Sequence, residues 1–281
     1  MKQYDVTALG ELLIDFTENG TSAQGNPLFE ANPGGAPCNV LAMLTKLGHK
    51  TAFIGKVGDD FFGKQLREAI TEVGIDSTGL LSDPEIHTTL AMVHTYPDGD
   101  RDFSFYRNPG ADMMLKEDEI PTELIKNSKI FHFGTLSMTH DGVRAATKKA
   151  ISIAEEANAL ISFDPNLRPP LWKSLDDAKE QVLYGLGHCH ILKISDNEIQ
   201  WLTGKEDYTD GVNWIRGRYN IPLILAYMGK EGSSAYYEDK IVEIKPFLKK
   251  NTIETTGAGD NFCGCVLTSV CENRLDNVTE A

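Results

Sequence analysis

The stretch TAFIGKVGDDFFGKQLREAITEV, residues 51–73, places a short apolar run directly before a helical pattern. Thr51–Val57 is rich in residues that favour β-strands, and Phe61–Val73 repeats apolar residues at helical spacing. The same order, strand and then helix, recurs along the chain. It predicts an α/β fold in which a parallel sheet is covered by helices on both faces.

Working outward from this unit, the remaining predicted strands are Val6–Leu9, Lys129–Gly134, Leu160–Asp164, His188–Ile194 and Pro222–Tyr227. The remaining predicted helices are Pro37–Leu47, Gly142–Ala157, Asp176–Leu186 and Gly211–Tyr219. Two stretches, Leu12–Asn32 and Thr88–Arg107, instead alternate apolar and polar residues, the second around the turn signal Pro97-Asp98-Gly99. We expect them to form a small antiparallel sheet that projects from the main domain as a lid.

The composition limits the possible partners. Asp and Glu outnumber Lys and Arg by 41 to 27, so the formal net charge of the 281 residues is −14. This charge argues against nucleic acid and anionic membranes as partners. We find no signal peptide and no uncharged apolar run near the roughly 18 residues of a membrane span. The five cysteines form no CxxC pair, which favours free thiols in a reducing cytoplasm. We interpret the trio His188, Cys189 and His190 as the end of a strand rather than a metal site.

A glycine-rich turn precedes the last predicted helix, in the sequence ETTGAGDNFCGCVL of residues 254–267. Small residues at Gly257, Ala258 and Gly259 leave the backbone N–H groups of the first helical turn open to an anion such as a phosphoryl group. Asp260 adds a carboxylate that suits a general base for an attacking hydroxyl. The alternative is a plain helix cap with an Asp that complements the helix dipole.

Two motifs together resemble a known family. TTGAGD is similar to the second signature of the ribokinase-like (PfkB) carbohydrate kinases, and PGGAPCNVLAMLTKLG (33–48) with FIGKVGDDFFG (53–63) is similar to the first. The resemblance implies a Rossmann-like core with a β lid, ATP as the phosphoryl donor and Mg²⁺ as counter-ion. It also implies a kinase core at 1–10, 33–87 and 108–281, with the lid at 11–32 and 88–107.

Three further segments, FYRNPGADMML (105–115), DPNLRPPLW (164–172) and KISDNEIQWLTG (193–204), are similar to those of bacterial fructokinases. The resemblance therefore implies phosphorylation of fructose to fructose 6-phosphate. Kinases of 2-keto-3-deoxygluconate, ribose or ribosides share parts of these patterns and stay as alternatives. A different alternative is a truncated, inactive sugar-binding protein, because the chain ends roughly thirty residues before the usual family end.

By position, the resemblance assigns catalysis to Asp260 and to an anion hole formed by Gly257, Ala258 and Gly259. The sugar would contact Asp15, Gly34, Gly35, Asn39, Arg107, Asn166 and Arg168. The nucleotide would contact Lys193, Tyr227, Gly229, Gly232, Thr256, Gly257 and Gly259. Glu198 would organise Mg²⁺ through water. The alternatives are a solvated strand carboxylate for Asp15, a structural ion pair for Arg168 and a dipole-complementing residue for Glu198.

Two expectations concern assembly and ions. Open strand edges in the lid commonly pair, and this property and the resemblance both imply a homodimer through the lid. Members of the family often bind a monovalent cation such as K⁺ near the anion hole, where Glu254 stands in place of the more common Asp.

Overall fold

The fold, seen in a computed structural model that describes residues 2–95, 101–246 and 257–277, consists of two sheets and eight α-helices within those residues. In chain order the strands are β1 (Tyr4–Leu9), β2 (Leu13–Thr21), β3 (Pro27–Gly34), β4 (Thr51–Gly58), β5 (Asp76–Asp83), β6 (Leu90–Thr95), β7 (Arg101–Tyr106), β8 (Ser128–Gly134), β9 (Leu160–Asp164), β10 (Ile191–Ser195), β11 (Leu223–Tyr227), β12 (Ser233–Tyr237) and β13 (Lys240–Ile244). The helices are α1 (Ala36–Lys46), α2 (Phe61–Val73), α3 (Thr122–Lys126), α4 (Asp141–Glu156), α5 (Leu175–His188), α6 (Asp196–Thr203), α7 (Tyr208–Arg216) and α8 (Ala258–Asn277).

The main sheet has nine strands in the order β13-β12-β11-β10-β9-β8-β1-β4-β5. Its strands from β11 to β5 pair in parallel, and only β12 and β13 are antiparallel. Two apolar clusters, one containing Phe133 and Phe163 and the other Phe53 and Leu41, pack helices against it. The prediction of a mostly parallel α/β sheet with helices is confirmed.

Two parts of the main sheet differ from the sequence prediction. The edge strand β5 and the hairpin β12–β13 were missed, because Asp, Ser, Lys and Glu interrupt the long apolar runs that mark buried parallel strands. The predicted strand His188–Ile194 was placed too early. His188 ends helix α5, where its ring lies 4.3 Å from Tyr184 one turn earlier and its Nδ1 lies 2.7 Å from Glu155.

The second sheet has four strands in the order β3-β2-β6-β7. It is built from the two segments predicted to form a lid, and we call it the lid. The expectation of a purely antiparallel sheet is wrong. Each hairpin, β2–β3 and β6–β7, is antiparallel, but β2 and β6 pair in parallel. Strands β2 and β6 run in the same direction, and the two hairpins are joined through this parallel pair. The turn Pro97-Asp98-Gly99 lies outside the described residues. Among residues that are described, no helix is both long and apolar enough to cross a membrane.

Candidate active site

The first turn of α8 lies beside Lys193 and Tyr227, near the carboxyl ends of β10 and β11, where ligands bind in open α/β sheets. Gly257 has a φ of 74°, in the left-handed region that favours glycine, and α8 begins at Ala258. The N–H groups of this turn have no intrahelical acceptor and carry the partial positive charge of the helix dipole. Gly257, Ala258 and Gly259 therefore have the geometry of an anion site. Thr256 and Glu254 lie outside the described residues.

The Asp260 side chain is held in place from another helix. Asp260 is only 8% exposed, and its Oδ2 accepts a hydrogen bond of 2.8 Å from Asn39 Nδ2 on α1. Burial raises the pKa of Asp260, while the Asn39 hydrogen bond and the charges of Lys193 and Arg168 lower it. The net effect is a raised pKa, which makes this carboxylate a better proton acceptor than an exposed Asp.

A cleft of about 370 Å³ opens between the lid and one face of α1. We call it the sugar cleft, and its lining includes Asp15, Asn32, Gly34, Asn39 and Gly257. A Cβ at Gly34 would lie 2.2 Å from Asp15 Oδ2, so a glycine is required beside this carboxylate. The structure thus brings three of the predicted sugar residues, Asp15, Gly34 and Asn39, into one cleft with the anion turn.

Gly35 shapes the same turn without lining the sugar cleft. Its φ is 124°, and a Cβ there would lie 2.4 Å from the Glu11 carbonyl oxygen. Only glycine accepts this backbone conformation and this contact. Gly35 therefore fixes the start of α1, from which Asn39 projects.

Arg107 is placed away from the sugar cleft. Its side chain is 2% exposed and forms an ion pair of 2.7 Å with Asp112. It also donates to Thr139 Oγ1 at 2.8 Å and to the Leu136 carbonyl at 2.9 Å. Asp112 in turn accepts from Thr89, which precedes lid strand β6. Arg107 therefore anchors the lid to the core in this structure.

Arg168 lies close to lid strand β7. It follows β9 in a half-buried loop, and its guanidinium carbon lies 5.8 Å from the ring centroid of Phe103 on lid strand β7. Its positive charge lowers the pKa of Asp260. Asn166 in the same loop has a φ of 45°, an uncommon value for a residue other than glycine.

Lys193 lies under the anion turn on the predicted nucleotide side. Its ammonium group forms a buried ion pair with Asp164, with Nζ 2.9 Å from Oδ2. A Cβ at Gly259 would lie 3.1 Å from Lys193 Nζ and 3.9 Å from the Tyr227 ring. Burial lowers the pKa of Lys193, but the negative charges of Asp164 and Glu198 raise it by more. The net pKa is raised, so the ammonium stays charged. Lys193, Tyr227 and Gly259 are therefore neighbours.

The turn after β11 carries Gly229 and Gly232, which have φ values of 52° and 109°. A Cβ at Gly232 would lie 2.3 Å from the Ile244 carbonyl, so the chain needs glycine to pass this point. The turn follows Tyr227 directly, at the carboxyl end of β11. It therefore borders the same edge of the sheet as Lys193.

Glu198 occupies the first turn of α6 and closes a capping box with Ser195. One carboxylate oxygen accepts from Leu167 N at 2.7 Å, and the other accepts from Ser195 N and Oγ at 2.8 Å. These bonds fix both oxygens and leave lone pairs for further donors. A fixed carboxylate with free lone pairs can accept a hydrogen bond from a metal-bound water without moving, and this fits the role predicted for Glu198.

Two buried acids were missed as site residues by the sequence analysis, Glu11 and Asp164. Asp164 is 2% exposed, and burial raises its pKa to about 7, with Lys193 lowering it and Glu198 and Asp260 raising it. Glu11 is 4% exposed, and its Oε1 accepts a hydrogen bond of 2.9 Å from Ala36 N. This bond holds the turn at Gly35 in place. Both are charged residues within or beside apolar runs, and that was the signal available in the sequence.

The Glu11 carboxyl supports a prediction on stability. Burial raises its pKa from 4.5 to about 7, and Asp112 raises it further while Arg107 and two backbone N–H groups lower it. Since the folded-state pKa lies above the unfolded value, ionisation destabilises the fold, and the penalty grows as the pH rises from about 4.5 to about 7. A shift of this size corresponds to about 3 kcal/mol.

We therefore expect Glu11→Gln to raise the free energy of unfolding by about 3 kcal/mol at pH 8, and by much less near pH 5. Gln keeps an oxygen for the Ala36 N–H, so the turn retains its hydrogen bond. Denaturant unfolding at the two pH values measures the difference, with the exposed Glu72→Gln as control. An advantage that is equal at both pH values would contradict the assignment.

The nine-stranded sheet, the four-stranded lid and an anion turn beside a buried carboxylate together define a sugar-kinase class of α/β protein. The pfkB family carbohydrate kinase pattern matches residues 3–275. The chain belongs to the pfkB family of carbohydrate kinases.

Individual relatives agree with this family. The chain is 40% identical over 271 residues to "Probable fructokinase-2" of Arabidopsis thaliana, covering 96% of this chain and 82% of the relative. Its fold is similar to a crystal structure of Xylella fastidiosa fructokinase with bound ATP, with a TM-score of 0.88, 27% identity, and coverage of 98% and 85% of the two chains. It is also similar to a double mutant of Vibrio cholerae O395 fructokinase with fructose, ADP and potassium ion bound, with a TM-score of 0.87, 27% identity, and coverage of 99% and 90%.

Proposed function

We propose that this chain transfers the γ-phosphoryl group of ATP to the 6-hydroxyl of fructose. The observation that carries the proposal is the position of Asp260, a buried carboxylate held by Asn39 where the sugar cleft meets the first turn of α8. The fructokinase names of the relatives support fructose as the acceptor, and the bound ATP of the Xylella fastidiosa structure supports the donor.

The proposed reaction uses the chain's own groups at each step. Asp260 takes the proton of the primary hydroxyl as its oxygen forms a bond to the γ-phosphorus. The bond between that phosphorus and the β–γ bridging oxygen breaks, and ADP leaves. The N–H groups of Gly257, Ala258 and Gly259 stabilise the charge on the transferring group. Lys193, Tyr227, Gly229, Gly232 and Thr256 would surround the nucleotide.

Three groups complete the proposed site. Mg²⁺, when bound, neutralises phosphate charge, and Glu198 would hold it through water. Arg168 and Asn166 would close over the reacting groups as the lid approaches and excludes water that would otherwise hydrolyse ATP. Arg107 would hold the lid in position through its ion pair with Asp112.

A screen of acceptors tests the substrate. Purified chain, ATP and Mg²⁺ are incubated separately with fructose, 2-keto-3-deoxygluconate, ribose and nucleosides, and the sugar phosphate is measured. We expect the highest kcat/KM with fructose. A preference for another acceptor would replace fructose while keeping the family, and sugar binding with no product from any acceptor would support an inactive sugar-binding protein.

Asp15 supplies a prediction on sugar affinity. Its carboxylate lines the sugar cleft from β2 and can accept from two neighbouring hydroxyls of the sugar. Hydrogen bonds to a charged group contribute about 1.5–3 kcal/mol, so Asp15→Asn should raise the KM for fructose by about 10- to 100-fold. The KM for ATP should change little. Glu18→Gln, on an exposed position of the same strand, is the control. An unchanged KM for fructose would remove Asp15 from the sugar site.

We also propose a homodimer through the lid, a monovalent cation and a cytoplasmic location. Leu28 and Phe29 on edge strand β3 and Tyr106 on edge strand β7 are 48%, 43% and 65% exposed, which supports pairing of the lids. The potassium ion of the Vibrio cholerae structure supports K⁺ near the anion turn. The five free cysteines support a reducing compartment. A solution mass that stays monomeric at all concentrations would contradict the dimer.

A further inference from the structure

A cluster of three different metal-binding side chains lies at the end of the main sheet opposite the sugar cleft. Asp5 is at the start of β1, His49 follows α1, and Cys271 is in the last third of α8. One possible ligand atom from each lies within 4.8 Å of the other two. Cys271 comes eleven residues after Asp260, about 16 Å along the helix at 1.5 Å per residue. The cluster is therefore separate from the proposed catalytic site.

The imidazole of His49 is the centre of this cluster. Its side chain is 11% exposed, and Nδ1 lies 3.3 Å from Asp5 Oδ2. Its other nitrogen, Nε2, is buried and has no hydrogen-bond partner among the described residues. The Glu272 Oε1 atom lies 4.0 Å from Nε2. This unpartnered nitrogen carries a desolvation cost, which a small movement of the exposed Glu272 carboxylate towards it would relieve.

We propose that Asp5, His49 and Cys271 bind a thiophilic divalent cation of the Zn²⁺ type. Thiolate, imidazole and carboxylate are the three ligand types that Zn²⁺ takes from proteins. Ligands at about 2.0–2.3 Å from a tetrahedral ion are about 3.3–3.8 Å apart, and the Asp5–His49 separation of 3.3 Å already fits. Binding converts the thiol to a thiolate, and its proton passes to solvent.

The neighbouring charges are compatible with this site. Lys129 Nζ lies 2.7 Å from Asp5 Oδ1, the oxygen that does not face His49, and its side chain is 49% exposed. The ammonium offsets the Asp5 charge in the absence of a cation and can move into solvent when one binds. With His49 Nδ1 on the metal, Nε2–H points towards Glu272, and carboxylates commonly orient metal-bound imidazoles in this way. Water would complete the tetrahedron.

Cobalt spectroscopy of the full chain tests this site. The chain is treated with a chelator, dialysed without Mg²⁺, and titrated with Co²⁺, which replaces Zn²⁺ and shows thiolate coordination as a charge-transfer band in the near ultraviolet. We expect the band to saturate at one Co²⁺ per chain and to disappear when Zn²⁺ is added. Cys271→Ser should abolish it, and His49→Ala should weaken Co²⁺ affinity at least about tenfold.

Cys265→Ser, which changes the exposed cysteine of the same helix, is the matched control and should leave the band unchanged. Circular dichroism of each variant establishes that it is folded, and His49→Ala provides a second variant if Cys271→Ser is not. Absence of the band in the wild-type chain, or its persistence in folded Cys271→Ser, would overturn the proposal. Sugar phosphorylation by Cys271→Ser, measured with Mg²⁺, should match the wild type, so the outcome is independent of the proposed kinase activity.

Discussion

Asp260→Asn should lower kcat for sugar phosphorylation by about 10²–10⁴-fold while leaving the KM for the sugar nearly unchanged. The loss corresponds to about 3–5 kcal/mol of transition-state stabilisation. Asn cannot take the hydroxyl proton, but its Oδ1 can still accept the hydrogen bond from Asn39, so the cleft should keep its shape. Steady-state kinetics with fructose and ATP measure both constants.

The stability of the same variant separates catalysis from structure. Asp260 is 8% exposed and burial raises its pKa, so replacing the carboxylate by a neutral amide should not lower the free energy of unfolding. Asp176→Asn changes an exposed Asp in the first turn of α5 and should leave kcat unaffected. An Asp260→Asn variant with near-normal turnover would indicate that Asp260 only complements the helix dipole, the alternative left open by the sequence.

The core of the fold could be predicted because buried parallel strands are continuous apolar runs. Leu160–Asp164 and Phe61–Val73 have the predicted bounds in the structure. The edge strand β5 could not be recognised in this way, because its exposed and half-buried positions include Asp, Ser and Thr. The local sequence pattern also could not predict which lid strands run parallel. Alternation shows which residues share a face, but the β2–β6 pairing depends on how two hairpins meet in space.

The candidate site was predictable to the extent that motifs identify residue types. The Asn39–Asp260 bond joins residues 221 positions apart, and the resemblance named both residues without showing their contact. Arg107 was expected at the sugar, but its guanidinium pairs with Asp112 and reaches Thr139 and Leu136 instead. A sequence motif gives no information on which of several carboxylates and carbonyls a long side chain reaches. These assignments of individual residues stay predictions until the variants are measured.

The buried pair of Lys193 and Asp164 leads to the second large effect. Lys193→Met should lower the free energy of unfolding by about 3–5 kcal/mol, because it leaves Asp164 buried without its partner. Burial already raises the pKa of Asp164 to about 7, and loss of the ammonium raises it further. Protonation below that pKa removes the isolated charge, so the loss should be larger at pH 8 than at pH 5. Denaturant unfolding at both pH values measures it.

A double variant distinguishes the structural role of Lys193 from its proposed role at the nucleotide. Lys193→Met combined with Asp164→Leu replaces both charges by apolar groups and should recover most of the lost stability. We expect the KM for ATP to be raised in Lys193→Met, because Lys193 Nζ lies directly under Gly259 of the anion turn. It should remain raised in the double variant, which also lacks this ammonium group. Lys64→Met, which breaks the exposed pair with Asp59, should change stability by less than about 0.5 kcal/mol and serves as control. If the double variant recovered normal ATP affinity together with stability, Lys193 would be a structural residue that supports the turn without contributing to nucleotide binding.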